Sequence, residues 1–558
     1  MRKKTIAALL AVLLLVSLLA GCGDQGAASS GPQQSGTSAA ATDAPKPDAG
    51  GSGTDAPDDS NASFYPVADE PVSLTGWGAI PPSMLSHIKD ESLSNIGNLA
   101  LAQEATNVHV DWRAVSLDDG TSLLGITLAS GDVPDILTLV ERFYAGGRSK
   151  ILSDDICIDV LQYAPEWAPD WYKFYSETPN YSNTITSADG KVVQMFGYKN
   201  YIDNGTVIRK DWLDQLQLEV PETYDELTKV LEAFVIELGA EYAAGVKANG
   251  TIGNHLTTWS TGGYGVIGSL LQDNQLPWQV DENGKVQMCY AMDGYYEYSK
   301  MLNDWYNKGI IPDEFMQHDS YNDENLLEGK CGYGYANVSQ LADSVTETYG
   351  ITFEAIPEIT KNKGDTVKTG GITEGVSNFG AAISAECQQV EYALKYLNWF
   401  WSEEGAKASN FGIEDTTYYY DESGEMHWSD LIVNNPDGLN LKLAQYVYCG
   451  YVSMGYPMDY AMLSMSFTND RQREAASLWT SNRTNEYEYY GVMTAEEQAV
   501  YDSYLADMCT FISEKYVGYI TGNEPLENFE ANVEQLYAMG LQEMMDAKQA
   551  AYDRYMGK

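Results

Sequence analysis

The alternation of apolar and polar positions predicts a chain built from strands and amphipathic helices. Residues 207–234 show this pattern most completely: an apolar pair, Val207 and Ile208, precedes a polar stretch and a break at Pro221. Thr223 then begins a T-x-x-E sequence, which is typical of a helix N-terminus because the hydroxyl accepts a hydrogen bond from an early backbone N–H. The apolar residues that follow at helical spacing predict one buried face. They are Leu227, Val230, Leu231, Phe234 and Leu238.

Strand and helix patterns continue on both sides of this stretch. The predicted strands cover residues 71–80 and 107–114, and a third follows a turn within residues 123–140. The predicted helices cover residues 83–103, 295–311 and 391–409. Alternating strands and helices predict an α/β fold.

Length and charge limit the classes of function. With 558 residues, 44% of them apolar, the chain can bury a large core and is too long for one ordinary domain. Its formal charge of -47, from 80 acidic and 33 basic residues, provides no field that attracts nucleic acid. The G-x-x-x-x-G-K-[ST] sequence of phosphate-binding loops is missing, so any ATPase that works with this chain is a separate subunit.

The N-terminus has the pattern of an exported lipoprotein. Basic residues at positions 2–4 precede an apolar run over residues 6–20, which suits an export signal and is short for a spanning helix. The sequence L-A-G-C at residues 19–22 resembles a lipobox, which implies diacylglycerol and palmitate on Cys22. We expect a signal peptide over residues 1–21; an uncleaved anchor helix is the alternative. Residues 22–63, rich in Gly, Ser, Ala, Pro and Asp, predict a disordered tether.

Cysteine and histidine spacing predicts no metal site. The six other cysteines are scattered, no C-x-x-C occurs, and the five histidines complete no ligand pattern. We expect buried thiols, with one or two disulfides left open for an exported protein.

Seven segments, in the same order, resemble family 1 extracellular solute-binding proteins, in particular the large lipoprotein subgroup of ABC importers for oligosaccharides. The most specific is FGIEDTTYYYDESGEMHWSD at residues 411–430. The others are RKDWLDQLQLEVPETYDELTKVLEAF, ASGDVPDI, SADGKVVQMFG, NKGIIPDEF, GKCGYGYANVSQL and FEANVEQLYAMGLQEMMDAKQAAYDRY.

The resemblance implies a two-lobed, periplasmic-binding-protein-like α/β fold of type II. Each lobe is a mixed sheet flanked by helices, and hinge crossings join the two. We place the first lobe at residues 64–200 and about 377–420, and the second at residues 201–376 and about 421–558.

The implied function is that of a monomeric binding protein, anchored by lipid to the extracellular face of the cell membrane. It captures an oligosaccharide and passes it to permease subunits, without catalysis and without a cofactor. A peptide or other solute as ligand is an alternative, and a surface-anchored carbohydrate-active enzyme is another. Because the body is strongly acidic, a neutral glycan is favoured over a polyanionic one.

Relatives in this family often carry a calcium loop after the helix that begins near residue 224. Here residues 235–253 read VIELGAEYAAGVKANGTIG, which lacks the alternating oxygen ligands. We therefore expect no calcium at that position.

Aromatic content suggests sugar binding, since flat rings stack on the apolar faces of sugars, although most of the 12 Trp and 40 Tyr must be core. Candidate ligand-binding residues follow predicted strands or lie in polar loops; ordinary loop hydrogen bonds or solvated charges are the alternative for each polar one. Arg209 could equally position the hinge. The candidates are Trp77, Glu141, Arg142, Arg209, Asn254, His255, Trp259, Tyr335, Asn337 and Glu374. The sequence does not indicate which glycan would bind.

Overall fold

Strands and helices alternate along most of the chain, as the apolar pattern predicts. The computed structural model describes residues 64–557 except 86, 89–91, 95, 200, 245–261, 265, 267–275, 316–325, 366–374, 451 and 482–490. Its strands are β1 (Val72–Ile80), β2 (Val108–Ser116), β3 (Ile136–Thr138), β4 (Gln194–Lys199), β5 (Asn204–Arg209), β6 (Trp278–Val280), β7 (Val286–Met288), β8 (Tyr333–Asn337), β9 (Phe353–Ala355), β10 (Gly375–Ile383), β11 (Tyr418–Tyr420), β12 (Met426–Trp428) and β13 (Pro457–Met458).

Helices lie between and after these strands. Those of the first half are α1 (Pro82–Leu85), α2 (Gly97–Thr106), α3 (Gly120–Ser130), α4 (Val140–Phe143), α5 (Gly147–Ser153), α6 (Ala164–Trp167), α7 (Pro169–Glu177), α8 (Pro179–Ile185), α9 (Lys210–Leu216) and α10 (Tyr224–Leu238). Those of the second half are α11 (Asp293–Asn307), α12 (Asp343–Tyr349), α13 (Val390–Trp399), α14 (Glu403–Phe411), α15 (Asp430–Val433), α16 (Leu441–Tyr448), α17 (Tyr460–Ser464), α18 (Asp470–Ser481), α19 (Ala495–Thr521), α20 (Phe529–Ala538) and α21 (Leu541–Tyr555).

The first lobe is built on a six-stranded mixed sheet with the order β13-β4-β10-β3-β1-β2. Neighbouring strands are parallel except at β10, which is antiparallel to both β3 and β4. Separate apolar clusters pack near it: the larger includes Trp112, Trp171 and Trp399, and the smaller includes Trp77 and Phe143. A sheet covered on both faces has apolar residues at nearly every position, which explains the continuous burial over residues 76–80.

The second lobe contains a three-stranded antiparallel sheet with the order β8-β5-β9. Helices α10, α11, α19 and α21 supply nearly half of the buried residues in the main apolar cluster of this lobe. Thr223 is the N-cap of α10, where its side chain accepts from the backbone N–H of Glu226 at 3.3 Å. The predicted apolar face is buried at Leu227, Val230, Leu231 and Phe234, so the sequence interpretation of this helix is confirmed.

The chain passes between the six-stranded and the three-stranded sheet along three segments, which lie between β4 and β5, between β9 and β10, and between β13 and α18. Strands β4 and β13 end where the first and third of these segments begin, and β10 starts where the second ends. All three crossings therefore meet the six-stranded sheet at the carboxyl edge of its parallel strands, which turns this edge toward the second lobe.

Two predicted helices are wrong in extent. Residues 83–103 contain two helices, α1 and α2, and α2 begins at Gly97, where a Cβ atom would lie 2.2 Å from the carbonyl oxygen of Tyr448. Residues 391–409 are divided between α13 and α14, because Ser402 caps a new helix by accepting from the backbone N–H of Gly405. Both breaks depend on contacts that a helical repeat does not encode.

The lobe boundaries remain a prediction, and one detail of the structure bears on them. Strand β13 pairs with β4 in the six-stranded sheet, and the side chains of Leu443, Tyr446 and Val447 pack against the larger cluster of that lobe. We propose that residues 421–458, which the sequence analysis assigned to the second lobe, belong with the first.

The six cysteines after Cys22 form no disulfide with one another in the structure, and five of them are buried. In the part of the chain that the structure describes, no helix has the length and apolar character needed to cross a membrane.

Candidate functional site

The carboxyl edge of the six-stranded sheet carries a short turn of chain in a strained conformation. Strand β3 ends at Thr138, and Leu139 then has a φ of 58°, in the left-handed region that a bulky residue rarely adopts. Its backbone N–H donates to the carbonyl of Gly380 at 2.9 Å, which holds the turn against β10. Strain of this kind is concentrated at functional sites. The residues that follow include Glu141 and Arg142, two of the candidates from sequence.

Glu141 forms an ion pair with Arg148 of α5. The Nη2 and Nε atoms of Arg148 lie 2.9 Å and 3.2 Å from the same carboxylate oxygen, Oε2. The other oxygen, Oε1, is buried and has no hydrogen-bond partner among the described residues. Burial raises the pKa of Glu141, while the charge and hydrogen bonds of Arg148 act in the opposite direction. The pair therefore leaves one buried carboxylate oxygen whose capacity to accept a hydrogen bond is unused by the described residues.

The neighbouring residues on this turn differ in exposure. The Arg142 side chain is exposed, and its guanidinium lies 5.8 Å from the ring centroid of Phe143. Tyr144 donates to Asp154 at 2.5 Å, and Lys150 donates to the same carboxylate oxygen at 2.6 Å. Burial and the Asp154 carboxylate raise the pKa of Tyr144 to about 12, so its hydroxyl keeps its proton at neutral pH. Arg142 is thus available to solvent, while Tyr144 is tied to α5.

Trp77, a candidate for ligand contact from sequence, does not face open space in this structure. The side chain is only 1% exposed and packs edge-on against Phe143, with ring centroids 5.8 Å apart. Strand β1 continues through Trp77 to Ile80, and apolar side chains cover the face that carries the Trp77 ring.

Arg209 is also placed in a structural environment. Its Nε and Nη2 atoms donate to the two carboxylate oxygens of Asp211 at 2.8 Å and 2.6 Å, and the guanidinium lies 4.3 Å from the centroid of Trp212. Arg209 ends β5, whereas the crossing from β4 precedes the first residue of β5, Asn204. The two ends of this strand are about 16 Å apart. Neither hinge positioning nor ligand contact is favoured by this position.

Tyr335 and Asn337 lie on β8 of the second lobe. Tyr335 is half-buried, and its backbone pairs with Thr206. Asn337 donates to the side-chain oxygen of Asn204 at 3.2 Å, next to the first crossing. Asn337 also accepts from the backbone N–H of Ser339 at 3.0 Å, so its amide is used within the fold.

The first crossing is held by a small polar network around Asp203. The carboxylate of Asp203 accepts from Lys199 at 2.7 Å and from Asn204 at 2.8 Å. Its backbone carbonyl accepts from the N–H of Val338 at 2.7 Å. These contacts link the end of β4 in the first lobe to β5 and β8 in the second.

Four candidates from sequence, Asn254, His255, Trp259 and Glu374, lie outside the described residues. The predicted absence of a calcium loop likewise concerns a segment that is described only in part.

Arg148 and Ser149, which are adjacent on α5, are not among the candidates from sequence. Arg148 pairs with Glu141, and the Ser149 hydroxyl donates to the backbone carbonyl of Met493 in the second lobe at 3.2 Å. An arginine seven residues after a glutamate is no recognised motif, so only the path of the chain from α4 to α5 identifies the pair.

One group of side chains among the described residues has the composition of a metal site. Asp421, Glu425 and His427 cluster on the β11–β12 hairpin. The Asp421 carboxylate already accepts from the backbone N–H groups of Ser423 and Glu425, and Asp421 and Glu425 are exposed. These bonds are those of an ordinary hairpin turn, and the cluster gives no indication of a bound ion.

Comparison with known proteins identifies the family. The sequence profile of the bacterial extracellular solute-binding proteins matches residues 88–407, which is more than half of the chain. The chain belongs to this family. The resemblance seen in the sequence is thereby confirmed at the level of the family.

Curated relatives of this solute-binding protein match in part. The fructooligosaccharide ABC transporter substrate-binding protein FusA of Streptococcus pneumoniae is 26% identical over 39% of this chain and 41% of its own length. The polygalacturonan/rhamnogalacturonan-binding protein YtcQ of Bacillus subtilis is 29% identical over 32% of this chain and 33% of its own. Lipoprotein LipO of Bacillus subtilis is 23% identical over 52% of this chain and 58% of its own length. The aligned regions thus span between a third and three fifths of these relatives.

Solved structures share the fold over almost their whole length. An ABC-transporter-associated solute-binding protein of Bifidobacterium longum infantis, described as HMO-binding, superposes with a TM-score of 0.70 at 16% identity, covering 88% of this chain and 99% of that one. FusA in complex with kestose superposes with a TM-score of 0.67 at 20% identity, covering 87% of this chain and 99% of that one. These similarities confirm the two-lobed, periplasmic-binding-protein-like fold.

Proposed function

We propose that this protein is the lipid-anchored, extracellular substrate-binding component of an ABC importer, and that it captures a neutral oligosaccharide between its two lobes. The family assignment over residues 88–407 carries the proposal. Two relatives are named for fructooligosaccharide and for polygalacturonan/rhamnogalacturonan, which supports a glycan as the ligand class. The protein binds its ligand without chemical change and passes it to separate permease subunits.

Neutrality of the glycan is argued from charge. A net charge of -47 repels uronate chains unless a basic pocket opposes it, and the carboxylate of Glu141 lies at the edge of the sheet where ligands of α/β folds bind. Sugar hydroxyl groups, by contrast, can donate to such a carboxylate at no charge cost. A second candidate, a peptide or other solute, is kept because LipO aligns over the largest share of this chain and its name specifies no sugar.

A thermal-shift panel tests the function. We expect at least one neutral oligosaccharide among kestose, maltotriose, cellotriose, xylotriose and mannotriose to raise the midpoint of unfolding in proportion to the logarithm of its concentration. Trigalacturonate and tripeptides are the comparison ligands. A shift confined to tripeptides would replace the sugar assignment, and a shift with trigalacturonate alone would refute neutrality. Recovery of the sugar unchanged by chromatography would exclude an enzyme.

Anchoring is tested separately on the full chain. We expect the wild-type protein to incorporate labelled palmitate and to sediment with membranes, because Cys22 follows the predicted signal peptide. The Cys22→Ala variant should lose both the label and the membrane association. Equal labelling of the variant would contradict the assignment of Cys22.

A further inference from the structure

The ion pair between Glu141 and Arg148 is asymmetric. An arginine that faces a carboxylate commonly contacts both of its oxygens with two parallel hydrogen bonds. Here both donating nitrogens converge on Oε2, at 2.9 Å and 3.2 Å, and Oε1 has no partner in the described part of the chain. A buried acceptor without a partner is costly, which makes its retention in this position informative.

Arg148 is itself held firmly. Its third nitrogen, Nη1, donates to the backbone carbonyl of Thr184 at 2.6 Å, and its guanidinium lies 5.9 Å from the ring centroid of Phe196. The side chain is 15% exposed, and that of Glu141 is 14% exposed. Because each nitrogen of the guanidinium has a partner and one face is covered by a ring, the carboxylate of Glu141 is fixed in orientation.

The chemistry of the free oxygen limits what it can bind. Oε1 is an acceptor, so its partner must donate a hydrogen bond. A negatively charged group would be repelled by the carboxylate, and a cation would be repelled by the adjacent Arg148. A neutral hydroxyl meets both conditions. The position lies beside the strained turn at Leu139, at the edge of the sheet that faces the second lobe.

We propose that Arg148 is a positioning residue that holds Glu141 by Oε2, so that Oε1 accepts a hydrogen bond from a hydroxyl group of a bound neutral sugar. The inference rests on the proposed function and adds the atom that recognises the ligand. Arg148 does not itself contact the sugar; it determines which atom of Glu141 the sugar meets.

Exchange of Glu141 for glutamine gives a sharp test, because the two side chains have nearly the same shape. In Glu141→Gln, Arg148 takes the amide carbonyl, and the NH2 group is turned to the place of Oε1. A donor then faces the sugar hydroxyl where an acceptor was. We expect affinity, measured by titration calorimetry with the neutral trisaccharide of the panel that binds wild type most tightly, to fall at least tenfold.

Removal of the positioning group should reverse part of that loss. In the double variant Glu141→Gln with Arg148→Met, the amide is free to turn its carbonyl toward the sugar, and affinity should recover at least threefold over Glu141→Gln alone. If Arg148 had only a structural role, the double variant would bind no better than Glu141→Gln, because a second destabilising change cannot improve binding. The control is Arg471→Met, which breaks an ion pair with Asp343 on the second lobe and should leave affinity unchanged.

The outcomes separate the two claims. The positioning role is overturned if folded Glu141→Gln binds as tightly as wild type, or if the double variant binds no better than Glu141→Gln. Unfolding midpoints of each variant without sugar show whether it is folded. If wild type binds none of the trisaccharides, the proposed function fails, and the inference fails with it.

Discussion

Replacement of Arg209 decides between a structural and a ligand-binding role for a residue that the sequence analysis placed in the site. The side chain is 6% exposed and makes two hydrogen bonds to Asp211, while its guanidinium covers the ring of Trp212. Arg209→Met removes the charge and both hydrogen bonds but keeps an unbranched side chain of similar reach. The change therefore tests the ion pair and the ring contact together.

The expected loss follows from the burial of the two partners. Breaking a fully buried ion pair costs about 3–5 kcal/mol, because one charge is left without a partner. Asp211 is 30% exposed, so water can solvate its carboxylate once the arginine is gone. The Nη1 atom also lacks a hydrogen-bond partner among the described residues, which reduces what the native pair contributes. We therefore expect Arg209→Met to lower the free energy of unfolding by about 2 kcal/mol.

Urea denaturation followed by circular dichroism measures this loss. Arg209→Lys should cost about 1 kcal/mol, since lysine keeps the charge but cannot form the paired hydrogen bonds. The adjacent Lys210→Met is the matched control: Lys210 pairs with Asp214 on an exposed part of α9, and such pairs contribute about 0–1 kcal/mol. Affinity for the sugar should be unchanged in all three. A stability loss in Arg209→Met no larger than in the control, together with lost sugar binding, would refute the structural role.

Three further predictions concern stability. Gln194 is 0% exposed, and neither its side-chain nitrogen nor its side-chain oxygen has a hydrogen-bond partner among the described residues. Gln194→Met should therefore raise the free energy of unfolding, measured by urea denaturation, by about 1 kcal/mol. A decrease would show that the amide is hydrogen-bonded. Thr494 caps α19 by accepting from the N–H of Glu497 at 3.2 Å, so Thr494→Ala should cost about 1 kcal/mol, whereas Thr510→Ala, within the same helix, should be close to neutral. Hydrogen bonds from Lys515, Asn528 and Asn532 lower the pKa of Glu524 to about 2, below its ordinary value of 4.5. Because the folded-state pKa is depressed, the Glu524 carboxylate stabilises the protein above pH 4.5, and this stabilisation is lost as the pH falls toward 2. Over that pH range, the unfolding midpoint of Glu524→Gln should therefore fall less than that of wild type.

Local patterns predicted the elements whose causes are local. Strands β1 and β2 lie within two residues of their predicted bounds, because their apolar runs end at turn residues. Helix α10 was predicted from a capping threonine and an apolar face, both contained in residues 223–238. The break before α2 has a distant cause, since Gly97 is pressed against the carbonyl of Tyr448.

The same distinction holds for the site. Glu141 and Arg142 could be placed at a strand end from sequence, because the carboxyl ends of parallel strands share one edge. The burial of Trp77 could not be predicted from sequence, since it depends on Phe143 and on the other apolar residues that cover that face. The partnership of Glu141 with Arg148 requires the chain to turn back after α4, which neither the composition nor the spacing of residues indicates.

Helix α5 carries both a residue proposed to orient the sugar-binding carboxylate and a residue that contacts the second lobe. Arg148 orients the carboxylate proposed to receive the sugar, and the next residue, Ser149, donates to Met493 across the two lobes. A sugar that contacts Glu141 and the second lobe together binds the closed arrangement better than the open one, and so shifts the population toward it. Since one short helix carries both contacts, any change that moves α5 should alter sugar affinity and lobe closure in the same direction. Ser149→Ala, which removes only the interlobe hydrogen bond, should therefore weaken sugar binding less than Glu141→Gln while leaving the preference among sugars unchanged.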